Sequence, residues 1–182
     1  MPRNDKAMDA IALLKNDHRT VEDLFERFEN TNAKATKEKL AKQVCLELMV
    51  HAQIEEEIFY PAAKEVVEED VHNEAYVEHD GAKVLIAEIL DSSPDDEFYD
   101  AKVKVLSEMI KHHVKEEEQR DGLFAQAKKG GIDMEELGAV LLARKREIIE
   151  KFAREGVPAP ETRVMKGAKL KHGEPVDAPL TA

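Results

Sequence analysis

Four histidines and two glutamates of this sequence have the residue types and the spacing of metal ligands in a helical bundle. Each histidine lies near the middle of an apolar helical repeat, and two of them have a glutamate four residues later on the same helix face. Carboxylates in an apolar core are costly unless a positive charge pairs with them, and imidazoles beside them complete a set of nitrogen and oxygen ligands. The candidate ligands are His18, His51, Glu55, His79, His113 and Glu117.

The chemistry of this set favours a pair of metal ions over a single one. A carboxylate can bridge two metals with its two oxygens, and a neutral imidazole supplies one nitrogen to one metal. Mixed nitrogen and oxygen ligands suit iron, and manganese or zinc less distinctively. Cys45 is the one cysteine of the chain, so a thiolate site is excluded.

Each of these residues also has a simpler explanation. A single histidine on an apolar repeat, such as His18, is more often a hydrogen-bonded core residue than a ligand. The acidic runs Glu55–Glu57 and Glu116–Glu118 are interpreted mostly as solvated faces, and Glu55 and Glu117 are their members on the apolar repeats. Four histidines at four helix midpoints, two with a glutamate one turn later, together favour the metal site.

Other residues of the same types are assigned weaker roles. His72 lies two turns before His79, roughly 10 Å along the helix axis, which is too far for the same metal. His112 belongs to a competing apolar repeat of its helix, one residue out of phase with the preferred one. Tyr76, one turn before His79, is expected to approach the site more closely than Tyr60, as an additional ligand or a neighbour of the ligands.

The apolar repeats predict an all-α protein with four long helices and a fifth helix after them. Pro61 should kink the second helix or shift its end. Ser93 and Pro94 fit an N-cap and first position of the fourth helix, which Gly122 would interrupt. Asp133 begins the fifth helix with a capping-box pattern. The expected helices cover about residues 7–30, 36–67, 71–90, 94–127 and 133–154.

Length and composition indicate one domain with a tail. At 182 residues and 42% hydrophobic content, the chain can bury a sizeable core. We expect a bundle over residues 1–155, with its four-helix core at about 7–128. Residues 156–182 hold several prolines and no periodicity, which predicts a disordered tail in which His172 has no role. The net charge of −12 disfavours a nucleic-acid partner, because phosphate binding needs a basic face.

The sequence also predicts where the protein resides. It has no apolar run near 18 residues, so no membrane span is expected, and its N-terminus lacks the apolar segment of a secretory signal. The lone cysteine forms no intramolecular disulfide, which fits a reducing compartment. A cytoplasmic location is therefore expected, and the oligomeric state is left open.

The candidate ligands and their neighbours resemble the motifs of the hemerythrin-like, cation-binding (HHE) family over about residues 8–128. The resemblance implies an up-down-up-down four-helix bundle around a non-haem di-iron centre with an oxo or hydroxo bridge. It assigns Glu55 and Glu117 as bridges, His18 and His51 to one iron, and His79 and His113 to the other. The matching segments are Asn16–Arg19, His51–Glu56, Ile58–Pro61, Glu78–Asp80 and His113–Glu118.

Two departures from the oxygen-carrying hemerythrins bear on function. Ala75 stands where those proteins have a second histidine of the third helix, and four residues separate His113 from Glu117 instead of five. Water, an exogenous ligand or Tyr76 would fill the vacant place. A more open centre favours binding of, or reaction with, a small oxidant (O₂, peroxide or nitric oxide). Iron storage, delivery or sensing without turnover is the alternative, since identical ligands serve both, and a metal-free structural bundle is a third hypothesis.

Overall fold

Helices form all the regular secondary structure of residues 8–166, the part of the chain that the computed structural model describes. Four long helices pack as a ring in which α1 contacts α2, α2 contacts α4, α4 contacts α5 and α5 contacts α1. The predicted all-α four-helix bundle with an additional C-terminal helix is confirmed. The helices are α1 (Ala10–Glu29), α2 (Lys34–Ile54), α3 (Tyr60–Ala63), α4 (Glu69–Leu90), α5 (Tyr99–Glu118), α6 (Leu123–Lys129) and α7 (Met134–Glu155).

The core forms where the apolar repeats of the four helices meet. Every residue of the apolar repeat of α1 is buried except Ile11, which is half-buried. The preferred repeat of α5 is buried along its whole length. His112, on the competing repeat of α5, has a side chain 58% exposed, so the preferred phase is confirmed. The buried repeat of α5 comprises Val103, Leu106, Ile110, His113 and Glu117.

A single π-helical turn, Glu55–Phe59, joins α2 to α3 just before Pro61. Proline has no N–H and its ring clashes with the carbonyl four residues earlier, so an unbroken α-helix is disfavoured here. The backbone N–H of Tyr60 binds the carbonyl of Glu55, five residues back. The expected disturbance at Pro61 therefore takes the form of one additional residue in a turn. It brings Tyr60 onto the face of Glu55.

The predicted fourth helix is divided and starts later than expected. Residues 94–98 form turns and α5 begins at Tyr99, so the prediction of Ser93 as its N-cap was wrong. Ser93 instead accepts a hydrogen bond from the N–H of Asp95, within a turn. The predicted break at Gly122 is confirmed. A Cβ atom there would lie 2.3 Å from the carbonyl oxygen of Glu116, so a larger residue would not fit this reversal.

The C-terminal extension, α7 with the segment 156–166 that follows it, packs against the bundle. Asp133 caps α7 as predicted, accepting from two backbone N–H groups. A Cβ at Gly138 would lie 2.3 Å from the carbonyl oxygen of Met8, so glycine lets α7 approach the start of α1. In place of the tail predicted from residue 156, Arg163 and the two residues after it bind Asp80 of α4. Residues 167–182, with His172, lie outside the described part.

Membrane insertion was not expected from the sequence. Among the residues described, no helix is both long and apolar enough to cross a membrane.

Candidate metal site

The six predicted ligands converge in the middle of the bundle, and all of them are buried. Their nitrogen atoms meet in two pairs: His18 Nε2 lies 3.1 Å from His51 Nε2, and His79 Nε2 lies 3.2 Å from His113 Nε2. Ligand atoms of these six residues form two groups in which all atoms lie within 4.8 Å of one another, and Glu55 belongs to both. The groups are His18, His51, Glu55 and Glu117, and Glu55, His79 and His113.

Glu55 lies between the two histidine pairs. Its Oε2 atom is 3.1 Å from Nε2 of His51 and 3.3 Å from Nε2 of His79. This carboxylate therefore approaches one histidine of each pair.

Glu117 contacts the other two histidines in the same way. Its Oε2 atom is 3.3 Å from Nε2 of His18 and 3.6 Å from Nε2 of His113. Two carboxylates from facing helices thus each span both histidine pairs, which is the arrangement that two bridging ligands need.

Tyr60, and not Tyr76, reaches the centre of the site. Its hydroxyl donates to Glu117 Oε1 at 2.9 Å and lies 3.2 Å from both Glu55 Oε2 and His79 Nε2. Tyr76 is only half-buried and contacts the Tyr60 ring, with centroids 5.2 Å apart. The expectation for Tyr76 was wrong because Tyr60 lies five residues after Glu55, a spacing that shares a face only across the π-helical turn.

Four outer carboxylates hold the far side of the histidine rings. Each accepts from the Nδ1 atom of a histidine on the next helix of the ring, from α1 to α2 to α4 to α5 and back to α1. An ionised carboxylate only accepts, so Nδ1 carries the hydrogen and Nε2 faces the centre. The pairs are Asp17 with His51 at 3.5 Å, Glu56 with His79 at 3.0 Å, Glu78 with His113 at 2.7 Å and Glu118 with His18 at 2.7 Å.

Sequence reasoning missed these carboxylates because two of them belong to acidic runs interpreted as solvated. Glu56 is 3% exposed, so that interpretation was wrong for it, while Glu57 is exposed as expected and pairs with Arg144. The available signal was adjacency, since every outer carboxylate is the immediate chain neighbour of a candidate ligand. A residue one position away points about 100° around the helix, toward the neighbouring helix.

The electrostatics of the metal-free site depend on protons held by the histidines. Burial alone would lower the pKa of His51, but Glu55 and Asp17 outweigh burial and raise it to about 10. Burial would likewise lower the pKa of His79, but Glu55 and Glu56 outweigh burial and raise it to about 9. Burial also works against Glu55, yet the neighbouring imidazoles hold the pKa of its carboxyl well below the usual range.

Tyr60 is neutral in this environment. Burial, together with the charges of Glu117 and Glu55, raises the pKa of its phenol well above the usual value. It therefore acts as a hydrogen-bond donor between the two carboxylates.

The residues present fit a bound cation. Glu55 Oε1 and Glu117 Oε2 are fully buried and have no hydrogen-bond partner among the described residues. With hydrogens on Nδ1, the Nε2 atoms of each histidine pair face each other about 3 Å apart, so in the metal-free site a proton lies between them at the place where a cation would bind. Unpaired buried oxygens are unfavourable, and a cation between the two carboxylates would remove that cost.

A small apolar cavity of ≈20 Å³ adjoins the histidine pairs. A cavity of roughly 10–15 Å³ already holds one water-sized molecule, so this one has room for a molecule of about that size. All four histidines contribute to its walls, and aliphatic side chains supply most of the remainder. These aliphatic residues are Val21, Leu48, Ala52, Ala82, Ile86, Ile110 and Val114.

The other two histidines of the described residues lie outside the centre. His72 is buried and donates to the backbone carbonyl of Tyr60 at 3.0 Å, consistent with the prediction that it is too distant to share a metal. His112 is exposed and lies 3.2 Å from Glu78 on the surface. Cys45 is buried in the apolar core, where burial raises the pKa of its thiol to about 12.

The family model described as the hemerythrin HHE cation binding domain matches residues 9–124. The chain belongs to this family, as its motifs predicted, and membership implies that it binds metal cations. The matched segment contains all six candidate ligands and all four outer carboxylates, and it ends before α7.

Two individual proteins are similar to the chain. The crystal structure of a hemerythrin HHE cation binding domain-containing protein from Mycobacterium kansasii has a TM-score of 0.68 at 23% identity, covering 82% of this chain and 94% of that one. This likeness shows the shared fold. A protein from Nostoc sp. named DNA nickase is 29% identical over 113 residues, 62% of this chain. The chain spans about a third of that relative, 32% of its length.

Proposed function

We propose that the protein holds two iron ions between its histidine pairs and that it binds or reacts with a small oxidant. His18 and His51 would hold one ion, His79 and His113 the other, and Glu55 and Glu117 would bridge them. The observation that carries this proposal is that each of the two carboxylates approaches one histidine of each pair. When bound, the iron ions would supply the electrons that an oxidant such as O₂ or peroxide accepts.

The contacts of Tyr60 support a site that is closed on one side. Its ring centroid lies 6.1, 5.2 and 5.3 Å from those of His72, Tyr76 and His79, which surround Ala75 on α4. The ring of Tyr60 thus packs against side chains of α4 on both sides of Ala75. We infer that its hydroxyl takes the place of the histidine for which Ala75 stands in this chain. There it would donate a hydrogen bond to a bridging carboxylate or to a ligand that replaces a carboxylate oxygen.

The cavity supports selection for small, weakly polar molecules. Apart from the histidines its walls are mostly aliphatic, so a large polar compound finds few partners there, whereas O₂ or nitric oxide loses little on leaving water. The outer carboxylates fix each imidazole with Nε2 inward, so the histidines need no rearrangement to accept a cation.

Iron storage, delivery or sensing without turnover uses the same ligands and is the alternative function. The experiment that separates the two is anaerobic loading with ferrous iron, followed by exposure to O₂, peroxide or nitric oxide under an optical and Mössbauer probe. Our proposal predicts a new iron spectrum with at least one of these molecules. If iron loads and leaves reversibly and its spectrum changes with none of the three molecules, the storage or sensing function replaces our proposal.

We propose no nucleic-acid partner for this chain. The net charge of −12 disfavours phosphate binding, which needs a basic face. The name of the Nostoc relative describes a protein about three times as long as the matched segment.

A further inference from the structure

Each outer carboxylate of the site is itself paired with a positively charged or polar side chain. Glu118 pairs with Arg19 of α1, and Glu78 with His112 of α5. Both of these partners belong to the four-helix core that the family model matches. The carboxylates behind His18 and His113 are therefore supported from within the core.

The other two carboxylates are supported from the C-terminal extension. Lys145 of α7 forms an ion pair with Asp17, behind His51. Arg163, in the segment after α7, forms an ion pair with Glu56, behind His79. Both cations lie beyond residue 124, where the family match ends.

Arg163 is held in place by an anchor of its own. The buried carboxylate of Asp80 accepts from the backbone N–H groups of Arg163, Val164 and Met165 at 2.7–3.0 Å. Lys83 lies between the two carboxylates, 2.7 Å from Glu56 and 3.5 Å from Asp80. Successive N–H groups aimed at one anion fix the backbone of a segment that has no regular structure.

We propose that the C-terminal extension is a working part of the metal site, in which Lys145 and Arg163 are positioning residues. They hold Asp17 and Glu56 against the Nδ1 atoms of His51 and His79, one histidine in each pair. The proposal rests on the proposed metal-binding function. It assigns to α7 and the segment after it a role in how firmly each metal position is held.

The two cations are not expected to contribute equally. The Lys145 side chain is 17% exposed, and among the described residues it is the one lysine or arginine that pairs with Asp17. Arg163 is 45% exposed and shares Glu56 with Lys83, so solvent screens its charge and a second cation remains without it. Asp17 also makes the longest of the four carboxylate–histidine contacts, which depends most on correct placement.

The first test uses the metal-free protein, so it does not depend on iron binding. Nitrogen-15 NMR of the histidine rings is recorded for Lys145→Met and Arg163→Met, which remove the charge and keep an unbranched side chain. We expect Lys145→Met to shift the Nδ1–H signal of His51 and Arg163→Met that of His79. Lys145→Arg and Arg163→Lys should restore the wild-type signals. Arg144→Met is the matched control, because Arg144 joins α7 to Glu57 and touches no histidine.

The second test measures release of ferrous iron to a chelator without oxygen. Replacing an outer partner of a metal ligand typically costs 10–100-fold in affinity, and these cations act one step further out. We therefore expect iron release to be about 3- to 10-fold faster in Lys145→Met, with a smaller increase in Arg163→Met. Circular dichroism and protection of α7 from proteolysis check that the extension stays docked.

The outcomes distinguish the two proposals. Unchanged ring signals and release rates in both variants, or the same changes in Arg144→Met, would overturn the role of the extension, because α7 would then act as packing alone. If wild-type protein binds no iron but the NMR changes occur as expected, the metal function fails while the connection of the extension to the histidines is retained.

Discussion

The hydroxyl of Tyr60 lies 2.9 Å from Oε1 of Glu117, although 57 residues separate them along the chain. The contact joins the π-helical turn to the far end of α5 and places a neutral donor between the two central carboxylates. Removal of this hydroxyl is therefore the sharpest probe of how the centre is assembled.

Tyr60→Phe should destabilise the metal-free protein and alter the iron-loaded site. A hydrogen bond to a buried carboxylate contributes roughly 1.5–3 kcal/mol, so we expect a loss of about that size in the free energy of unfolding, measured by urea denaturation. The visible spectrum of the iron-loaded variant should also change. Tyr76→Phe is the control, because its half-buried ring lies beside Tyr60 and outside the centre. Equal effects of the two variants would argue against a central role for Tyr60.

Ala75→His should be poorly accommodated while Tyr60 is present. Ala75 is buried, and the ring of Tyr60 packs against its neighbours on α4. Overpacking of a filled core costs about 1–3 kcal/mol, which thermal denaturation would detect. The double variant with Tyr60→Ala should recover part of that loss. An Ala75→His protein as stable as wild type, with an unaltered iron spectrum, would show that this position does not face the site.

Removal of metal should matter more at high pH than at neutral pH. The pKa values of His51 and His79 are raised to about 10 and about 9, from about 6.5 when unfolded. Their contribution to stability is therefore complete below about pH 6.5 and is lost as pH rises through 9 and 10. Bound metal replaces those protons, and its affinity rises with pH. The melting temperature of the loaded protein should exceed that of the metal-free protein by a margin that grows between pH 7 and pH 10. A constant difference would contradict this account.

The periodicity of the sequence was sufficient to predict the bundle and its six central residues. Histidines and glutamates that follow the 3.6-residue repeat of apolar positions must face the core, as His51 and Glu55 do. Tyr60 could not be found in this way, because its alignment with Glu55 exists only in a π-helical turn. Pro61 signalled a disturbance there without revealing its form.

The outer carboxylates and their cations depend on which helices are neighbours. Asp17 supports a histidine of α2, and Lys145 comes from a helix 128 residues further along the chain, a contact that no local repeat encodes. The segment around Arg163 was equally hidden, since its structure consists of backbone N–H groups around Asp80 and its composition is that of a loop. Contacts made by backbone groups have no side-chain signature in a sequence.

Iron analysis of wild-type protein and of the bridge variants tests the central claim most directly. The proposed bridges need two anionic oxygens, so Glu55→Gln and Glu117→Gln should lose much of their iron, because an amide offers one weaker acceptor. His72→Ala, a buried histidine outside the centre, is the control and should keep it. We predict about two iron ions per chain in iron-replete wild-type protein purified without chelators. One ion or none in that material, or full iron content in both Gln variants, would contradict the carboxylate-bridged pair.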